Sequence, residues 1–580
     1  MTPFPSRLSV PKDFPAGSPV QIYLDFFLRQ TVVDGSNQSI ERGLSIEVSR
    51  EERIKRLKQG HFDLLVIGGG STGSGVALDA AARGLQVALV EKEDFGSGTS
   101  SRSTKLIHGG VRYLEQAVLR LDRGQFDLVR DAMRERAVIL QNAPHLAWPL
   151  PLVIPIYRPL QVPYFWFGLK LYDALAGQAN LGASRFLSPT KTLERLPMLR
   201  PNGLIGGLLY YDGQFDDARL SLSIALTAAE YGATIINHVA VTDLIKEHGR
   251  IIGTMVLGAS GEGEWEIRAA SVINATGPFS DQIRKLEDPQ APPMLQVSSG
   301  AHIVLDGKFS SPETGLLIPN TEDSRVLFIL PWTNHTLIGT TDISAETTHE
   351  PPVRKQEIEY LLRHARRYLA DPVSINDVKS AWAGLRPLVA DPSHSDSARL
   401  SRDHVIVESP SGLITIAGGK WTTYRKMAQD AVDRAVGDEA SIPSRTRKLP
   451  LVGAAKYDPT FAAVLQSAYG LEADVASHLN RSYGDRAEHL AKLANEGLQT
   501  RLAAGHPYIE AEVIWAVRVE LAMTPLDVLA RRTRIAALDR AAAIEALPRV
   551  IDLMAAELSW GVDRRASEQE QALNRLEHAI

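Results

Sequence analysis

Residues His61–Tyr113, HFDLLVIGGGSTGSGVALDAAARGLQVALVEKEDFGSGTSSRSTKLIHGGVRY, are the segment from which the architecture of the chain can be worked out. Phe62–Ile67 is a strand-length, mostly apolar run, Gly68–Gly73 is a glycine-rich turn, and a helix of small residues leads to a second strand, Gln86–Val90, that ends at Glu91. Strand, turn, helix and strand in this order form a dinucleotide-binding unit, and a chance GxGxxG turn would lack those flanks. The glycines serve different purposes. Gly68 makes the tight turn, Gly70 admits the backbone to a pyrophosphate, and Gly73 lets helix pack on strand. The helix start at Ser71 and Thr72 offers free N–H groups and a positive dipole end to the phosphates. Glu91, with Lys92 behind it, stands where a carboxylate accepts the ribose hydroxyls of an adenosine.

The second half of the stretch is polar and small: Thr99, Ser100, Ser101, Ser103 and Thr104, then Lys105, Ile107, His108, Gly109 and Gly110. Such a run packs no core, but its backbone and hydroxyls suit a flavin's ribityl chain and pyrophosphate; a solvated loop is the alternative. Further on, a helix ending at Gly232 runs into the strand ATIINHVAVTDLI, which includes Val241, and a buried strand runs into Ala275, Thr276 and Gly277. Strand ends of this kind carry ligand contacts in open α/β sheets. Short β-like pieces follow at Ala301–Leu305, Arg325–Leu330 and Thr336–Gly339, with a hairpin-like link over Trp332–His335, and predict an antiparallel sheet over the substrate. AWAGLRPLVA (Ala381–Ala390) returns toward the cofactor, and GLITIAGG leads to Gly419, Lys420, Thr422 and Thr423 at a helix start. A helix N-terminus aimed at a flavin's N1 and O2 edge would stabilise the anionic reduced ring.

With 580 residues the chain needs two or three domains. The expected division is an extension with a short helix (1–60), a cofactor and substrate region (61–440) and a separate helical domain (441–580). Within the middle region a split nucleotide-binding domain (roughly 61–142, 202–298 and 372–440) alternates with the sheet domain (roughly 143–201 and 299–371). A net charge of -5 gives no reason to expect nucleic acid. The absence of cysteine excludes disulfides, a thiol nucleophile, iron–sulfur ligation and a cysteinyl flavin link, so redox chemistry must belong to a bound organic cofactor. No apolar run has the length of a membrane span; the nearest, His145–Gly177, is interrupted by five prolines. It reads as a buried connector or as a surface dipping into a bilayer interface through Trp148, Tyr164, Trp166 and Tyr172. Residues 1–46 read as a poorly ordered extension without a signal or transit pattern. Arg531–Arg534, RRTR, reads as a charged helix end, or as a dimer or anionic-lipid contact.

Taken together, GGGSTGSG, GTSSRSTKLIHGGVRYL, ATGPFSD, FILPW with IGTTD, AGLRPL, SRDH and AGGKWTTYRKMA resemble the FAD-dependent glycerol-3-phosphate dehydrogenases, from about Phe62 into the helical tail. SSGAHIV lacks the lysine that many bacterial relatives carry before the glycine, so the mitochondrial type is the nearer match. No D-x-D-x-D-G loop follows the helical region, so the calcium hands of the animal enzymes are not implied, and no metal is expected. The resemblance implies a D-amino-acid-oxidase-like fold: a split FAD-binding Rossmann-like domain, an antiparallel substrate sheet and a C-terminal helical domain. It implies oxidation of sn-glycerol 3-phosphate to dihydroxyacetone phosphate, with electrons passing to a membrane quinone from a peripheral homodimer. The membrane would be the bacterial cytoplasmic or the mitochondrial inner one. A glycerol-3-phosphate oxidase using O2, another oxidase of the same fold, and a flavin sensor without turnover are the alternatives.

That chemistry asks for a hydride acceptor, a base for the C2 hydroxyl and cations for the phosphate. Flavin N5 is the acceptor. His302 matches a family active-site histidine and is the first choice of base, the alternative being a histidine satisfied within a strand. Arg386 matches the arginine over the reacting oxygen, a structural ion pair being its alternative. Arg112, Tyr113, Arg402, Lys420 and Thr423 match the phosphate-binding positions, with Arg402 and Lys420 foremost. Arg102 and Arg425 read as scaffold or surface, and His108 as a noncovalent flavin contact or an attachment point.

Overall fold

The computed structural model describes residues 48–110, 123–259, 261–323, 325–390, 404–437 and 442–577. The expected short helix is present as Arg50–Gln59, capped by the Ser49 hydroxyl and stopped at Gly60. Two sheets follow. The first has the order His404–Glu408, Leu413–Gly418, Gly263–Asn274, His61–Ile67, Val87–Val90, Thr234–Ile236, with a meander of Val239–Glu247 and Arg250–Gly258 on the side of Gly263–Asn274. Its centre is parallel, built from three separate parts of the chain. The helices Ser71–Ala82, Asp217–Glu230 and Tyr424–Val436 pack together beside it. The apolar runs of the central strands have no polar alternation because both faces of a parallel sheet are covered.

The second sheet is antiparallel except where Gly315–Ile318 runs parallel to Ala147–Ile156. The three β-like pieces expected from sequence lie in it, within Leu295–Asp306, Leu327–Trp332 and His335–Gly339. The link between the last two is a tight turn in which Thr333 and Asn334 both have positive φ, the geometry a two-residue hairpin needs. The stretch from His145 divides into the core strand Ala147–Ile156 and the helix Gln161–Ala176. The prolines at 149, 151 and 155 share one parity, so their missing N–H groups fall on one side, and the ladder to Gly206–Phe215 stays continuous. The buried-connector reading holds for the strand; at the helix Leu160 and Phe167 are 86% and 65% exposed, but Tyr172, expected at a bilayer interface, is buried.

The expected C-terminal helices, Phe461 to Glu577, pack closely against the sheet. Leu150, Leu152, Ile154, Trp332 and Trp382 of the sheet share one apolar cluster with Val528, Ile535, Leu547 and Val550. Ion pairs reinforce the seam. Arg532, fully buried, and Arg531 both pair with Asp94, just beyond Glu91; Arg534 pairs with Asp216, and Arg219 grips Glu520 through two bonds of 2.7 and 2.8 Å. The RRTR segment is therefore neither a solvated helix end nor a lipid contact. Two of its carboxylate partners, Asp94 and Asp216, lie more than 300 residues earlier, where no local pattern reveals them, while Arg531 also pairs with Asp527 one helical turn away. Arg425 is likewise a scaffold residue, held bidentately by buried Glu135.

Candidate active site

The glycine turn folds as its spacing requires. A Cβ at Gly73 would sit 1.9 Å from the Gly68 carbonyl oxygen, so only glycine lets the helix start this close to the strand end. The helix Ser71–Ala82 begins at Gly70 without a side-chain cap, leaving its N-terminal dipole to the adjoining cavity of about 510 Å3. Gly68, Gly70, Ser71, Thr72, Glu91, Lys92, Thr99 and Ser100 line that cavity, together with Val241, Ala275, Thr276, Gly277, Gly419 and Lys420. The Glu91 carboxylate accepts from the Gly69 N–H at 2.6 Å and the Glu93 N–H at 2.8 Å, so besides facing the cavity it fixes the turn. Burial raises its pKa although these two donors oppose the shift. The Ser100 hydroxyl accepts from the Ser71 N–H at 2.9 Å and ties the polar loop to the helix start.

Not every polar residue of the loop is used that way. The Ser103 hydroxyl donates to Asp217 at 2.7 Å, and the Lys105 ammonium donates to both Asp217 oxygens and to the Ser101 carbonyl. Lys105 is 2% exposed and lies 5.1 and 5.2 Å from the rings of Trp332 and Trp382. Ser103 and Lys105, expected at the cofactor, instead anchor the loop, because Asp217 offers a buried ammonium its countercharge. Ile107 is a buried strand residue opposite Gly213, and the Gly109 N–H donates to the Tyr172 hydroxyl; with Ser101, His108 and Gly110 they lie outside the cavity lining. Thr422 and Thr423 are buried, and the Thr423 hydroxyl donates to the Lys420 carbonyl at 3.1 Å, within the turn that precedes the helix. Arg112, Tyr113 and Arg402 fall outside the described residues.

The neighbouring strands Leu295–Asp306 and Val378–Val389 place His302 and Arg386 on one face. Their register sets Ser298 opposite Arg386, Gly300 opposite Gly384, and His302 opposite Trp382, so all six side-chain positions share a parity. The polar loop lies over this face: a Cβ at Gly384 would meet the Arg102 carbonyl oxygen at 2.7 Å, and the Thr99 hydroxyl donates to the Leu385 carbonyl at 2.6 Å. His302 is 3% exposed and stacks on Trp382 with ring centres 5.5 Å apart. Its Nε2 lies 2.9 Å from the Thr104 hydroxyl, and a Cβ at Gly339 would intrude to 2.1 Å from its Cδ2. Burial, then the cations Lys105 and Arg386, drive its pKa well below 6.5, so the imidazole is neutral. Arg386 donates to Asp342 and to Thr340 and Thr341, each at 3.1 Å, which holds its guanidinium beside Gly300.

Sequence reasoning passed over Trp382, Asp342 and Gly339. Trp382 had a signal, since it precedes Gly384 and Arg386 at strand spacing in AWAGLRPL. Asp342 and Gly339 lie in the quoted IGTTD, but nothing local shows that they serve Arg386 and His302, because those contacts arise once the sheet has formed.

A family profile described as "FAD dependent oxidoreductase" matches residues 63–425, and one described as "C-terminal domain of alpha-glycerophosphate oxidase" matches residues 444–565. Mitochondrial glycerol-3-phosphate dehydrogenases of Mesocricetus auratus and Homo sapiens are 49% and 48% identical to the chain over 541 residues, covering 90% of it and 74% of each relative. The one from Arabidopsis thaliana is 46% identical over 540 residues, covering 89% of this chain and 86% of the relative. The chain belongs to the FAD-dependent glycerol-3-phosphate dehydrogenase family. An X-ray structure of a member from Bacillus halodurans complexed with FAD superposes with a TM-score of 0.75 at 32% identity, covering 93% of this chain and 98% of the other. The expected fold class, the mitochondrial-type resemblance and the FAD cofactor are thus borne out.

The cavity of this glycerol-3-phosphate dehydrogenase family member fits FAD by its own chemistry. Glu91 and Lys92 line it together with the glycine turn and the start of the helix Ser71–Ala82, a lining that suits ribose hydroxyls and a pyrophosphate. Thr99, Ser100, Gly419 and Lys420 line the same cavity.

Proposed function

We propose that the chain oxidises sn-glycerol 3-phosphate to dihydroxyacetone phosphate. The observation that carries this reading is the single face on which His302 and Arg386 lie under the Thr99–Thr104 loop, beside the dinucleotide cavity. Bound FAD supplies the two-electron acceptor for the C2 hydride at N5. The neutral imidazole of His302 is the proton acceptor, and its Nε2 contact with Thr104 makes that hydroxyl the relay: the C2 hydroxyl proton passes to Thr104 Oγ1 as the Thr104 proton passes to Nε2. Arg386 stabilises negative charge on the C2 oxygen as its proton leaves, from a guanidinium already oriented by Asp342. Lys420 holds the phosphate, with Arg112, Tyr113, Arg402 and Thr423 as its further family-matched partners.

Anaerobic addition of glycerol 3-phosphate to the FAD-loaded protein is expected to bleach the flavin band near stoichiometrically. A band that persists would rule out the reading and leave a non-catalytic flavoprotein.

Electrons are proposed to leave for a membrane quinone, from a peripheral dimer on the bacterial cytoplasmic or mitochondrial inner membrane. No helix among the described residues is long and apolar enough to cross a membrane. Support for peripheral docking comes from the helix Gln161–Ala176, where Leu160, Tyr164 and Phe167 face solvent. The match of residues 444–565 to the glycerophosphate oxidase domain keeps O2 as a second acceptor. Peroxide formed in proportion to turnover despite added quinone would favour the oxidase.

A further inference from the structure

We propose that His335, His506 and Asp539 form a site for a divalent transition ion of zinc's class, at the seam between the antiparallel sheet and the C-terminal helices. One donor atom from each lies within 4.8 Å of the other two. The three residues come from distant parts of the chain: the hairpin turn, the segment before the helix Glu510–Arg518, and the start of the helix Arg540–Leu558. Folding, not local sequence, brings them together.

The arrangement has the marks of a ligand set. His335 Nδ1 lies 2.8 Å from the Thr333 carbonyl, which fixes the Nδ1–H tautomer and leaves the Nε2 lone pair for an ion. The two imidazoles are nearly parallel with centres 5.8 Å apart, and His506 is backed in turn by Tyr508. Asp539 uses Oδ1 to accept from the Ala542 N–H at 3.2 Å, which leaves Oδ2, 4.0 Å from His506 Nε2, as the third donor. Two imidazoles and a carboxylate suit zinc and its neighbours, whereas magnesium and calcium call for oxygen donors. A tetrahedral ion with bonds of about 2.0–2.1 Å needs donors roughly 3.3 Å apart, a contraction within reach of side-chain rotation.

The structural alternative is an ion pair, since Lys379 Nζ lies 2.9 Å from Asp539 Oδ2. That side chain is 35% exposed, so the ammonium can withdraw to solvent as a divalent ion takes its place. A second cluster, Asp94, His238 and Asp527, has donors equally close together, but Arg531 and Arg532 already supply its cations. The proposed site lies away from the FAD cavity yet is linked to the active site. His335 begins the strand that ends at Gly339, against the His302 ring, so an ion here ties that strand to the helical region.

The test is calorimetric titration of the untagged, FAD-loaded chain with zinc(II), with cobalt(II) difference spectra recorded beyond the flavin band. One ion per chain is expected, with affinity at least tenfold weaker in His335→Ala and in His506→Ala, unchanged in His238→Ala and tighter in Lys379→Ala. The cobalt d–d bands should disappear in the same two histidine variants. His335 is half-buried on a hairpin turn, so its variant preserves the test even if His506→Ala fails to fold. No saturable binding at one equivalent, or binding that survives both histidine substitutions, overturns the site.

Discussion

His302 is useful to the reaction because its surroundings keep it uncharged. Burial, with Lys105 and Arg386 nearby, holds its pKa well below 6.5, so acidification through pH 6.5 should not switch off kcat/KM on its account. An acid limb centred at 6.5 that vanishes in His302→Asn would contradict this. His302→Ala should lower kcat by about 10²–10⁴-fold with FAD retained, the range for a positioned acid–base group. Thr104→Val, which removes the hydroxyl 2.9 Å from Nε2, should lower kcat while leaving KM and the flavin spectrum nearly unchanged. Lys420→Ala should instead raise KM, by roughly 10–100-fold if it breaks one charge-assisted bond of about 1.5–3 kcal/mol. Another histidine predicts acid sensitivity: burial depresses His145 to about 3 in the folded chain against 6.5 unfolded. Its contribution to stability is complete above pH 6.5 and declines as pH falls toward 3, because the unfolded chain takes up the proton first. Urea midpoints at pH 7 and pH 5 should therefore differ less in His145→Gln than in the parent.

Strands and helices carry the next set of consequences. The ribbon of Leu295–Asp306 with Val378–Val389 sets His302 and Arg386 four residue pairs apart on one face, and Gly339 on the adjoining strand makes room for the imidazole. Gly339→Ala should displace that ring and reduce turnover more than FAD content, as read from kcat and the flavin-to-protein absorbance ratio. On the surface, the helix Gln161–Ala176 turns Leu169 and Tyr172 inward and leaves Phe167 outside, so Phe167→Glu should be neutral for stability. The same change should reduce pelleting with anionic vesicles; equal pelleting would remove this helix as the docking element.

For the molecule as a whole, the buried arginines of RRTR join the C-terminal helices to the nucleotide-binding part. Asp94 sits among Arg531, Arg532 and Asn237, all at least half buried. Asp94→Ala removes the carboxylate from fully buried Arg532, while Arg531 keeps Asp527, and should lower stability by about 3–5 kcal/mol, seen as a lower denaturation midpoint and earlier proteolysis near residue 445. The dinucleotide unit, the antiparallel pieces and the helical tail were legible from residue order alone, since glycine spacing, apolar runs and helical periodicity act within a few residues. The cavity-lining positions Gly68, Gly70, Ser71, Thr72, Glu91 and Ala275–Gly277 could be read for the same reason, whereas Gly73 serves the packing of helix on strand. Which polar side chains face the cofactor could not. Ser103 and Lys105 sit in the same run as Thr99 and Ser100, yet they turn to Asp217, and RRTR turns to Asp94 and Asp216. A buried charge goes wherever a countercharge stands, and here that partner lies hundreds of residues away or on another element, a pairing that exists once the chain has folded.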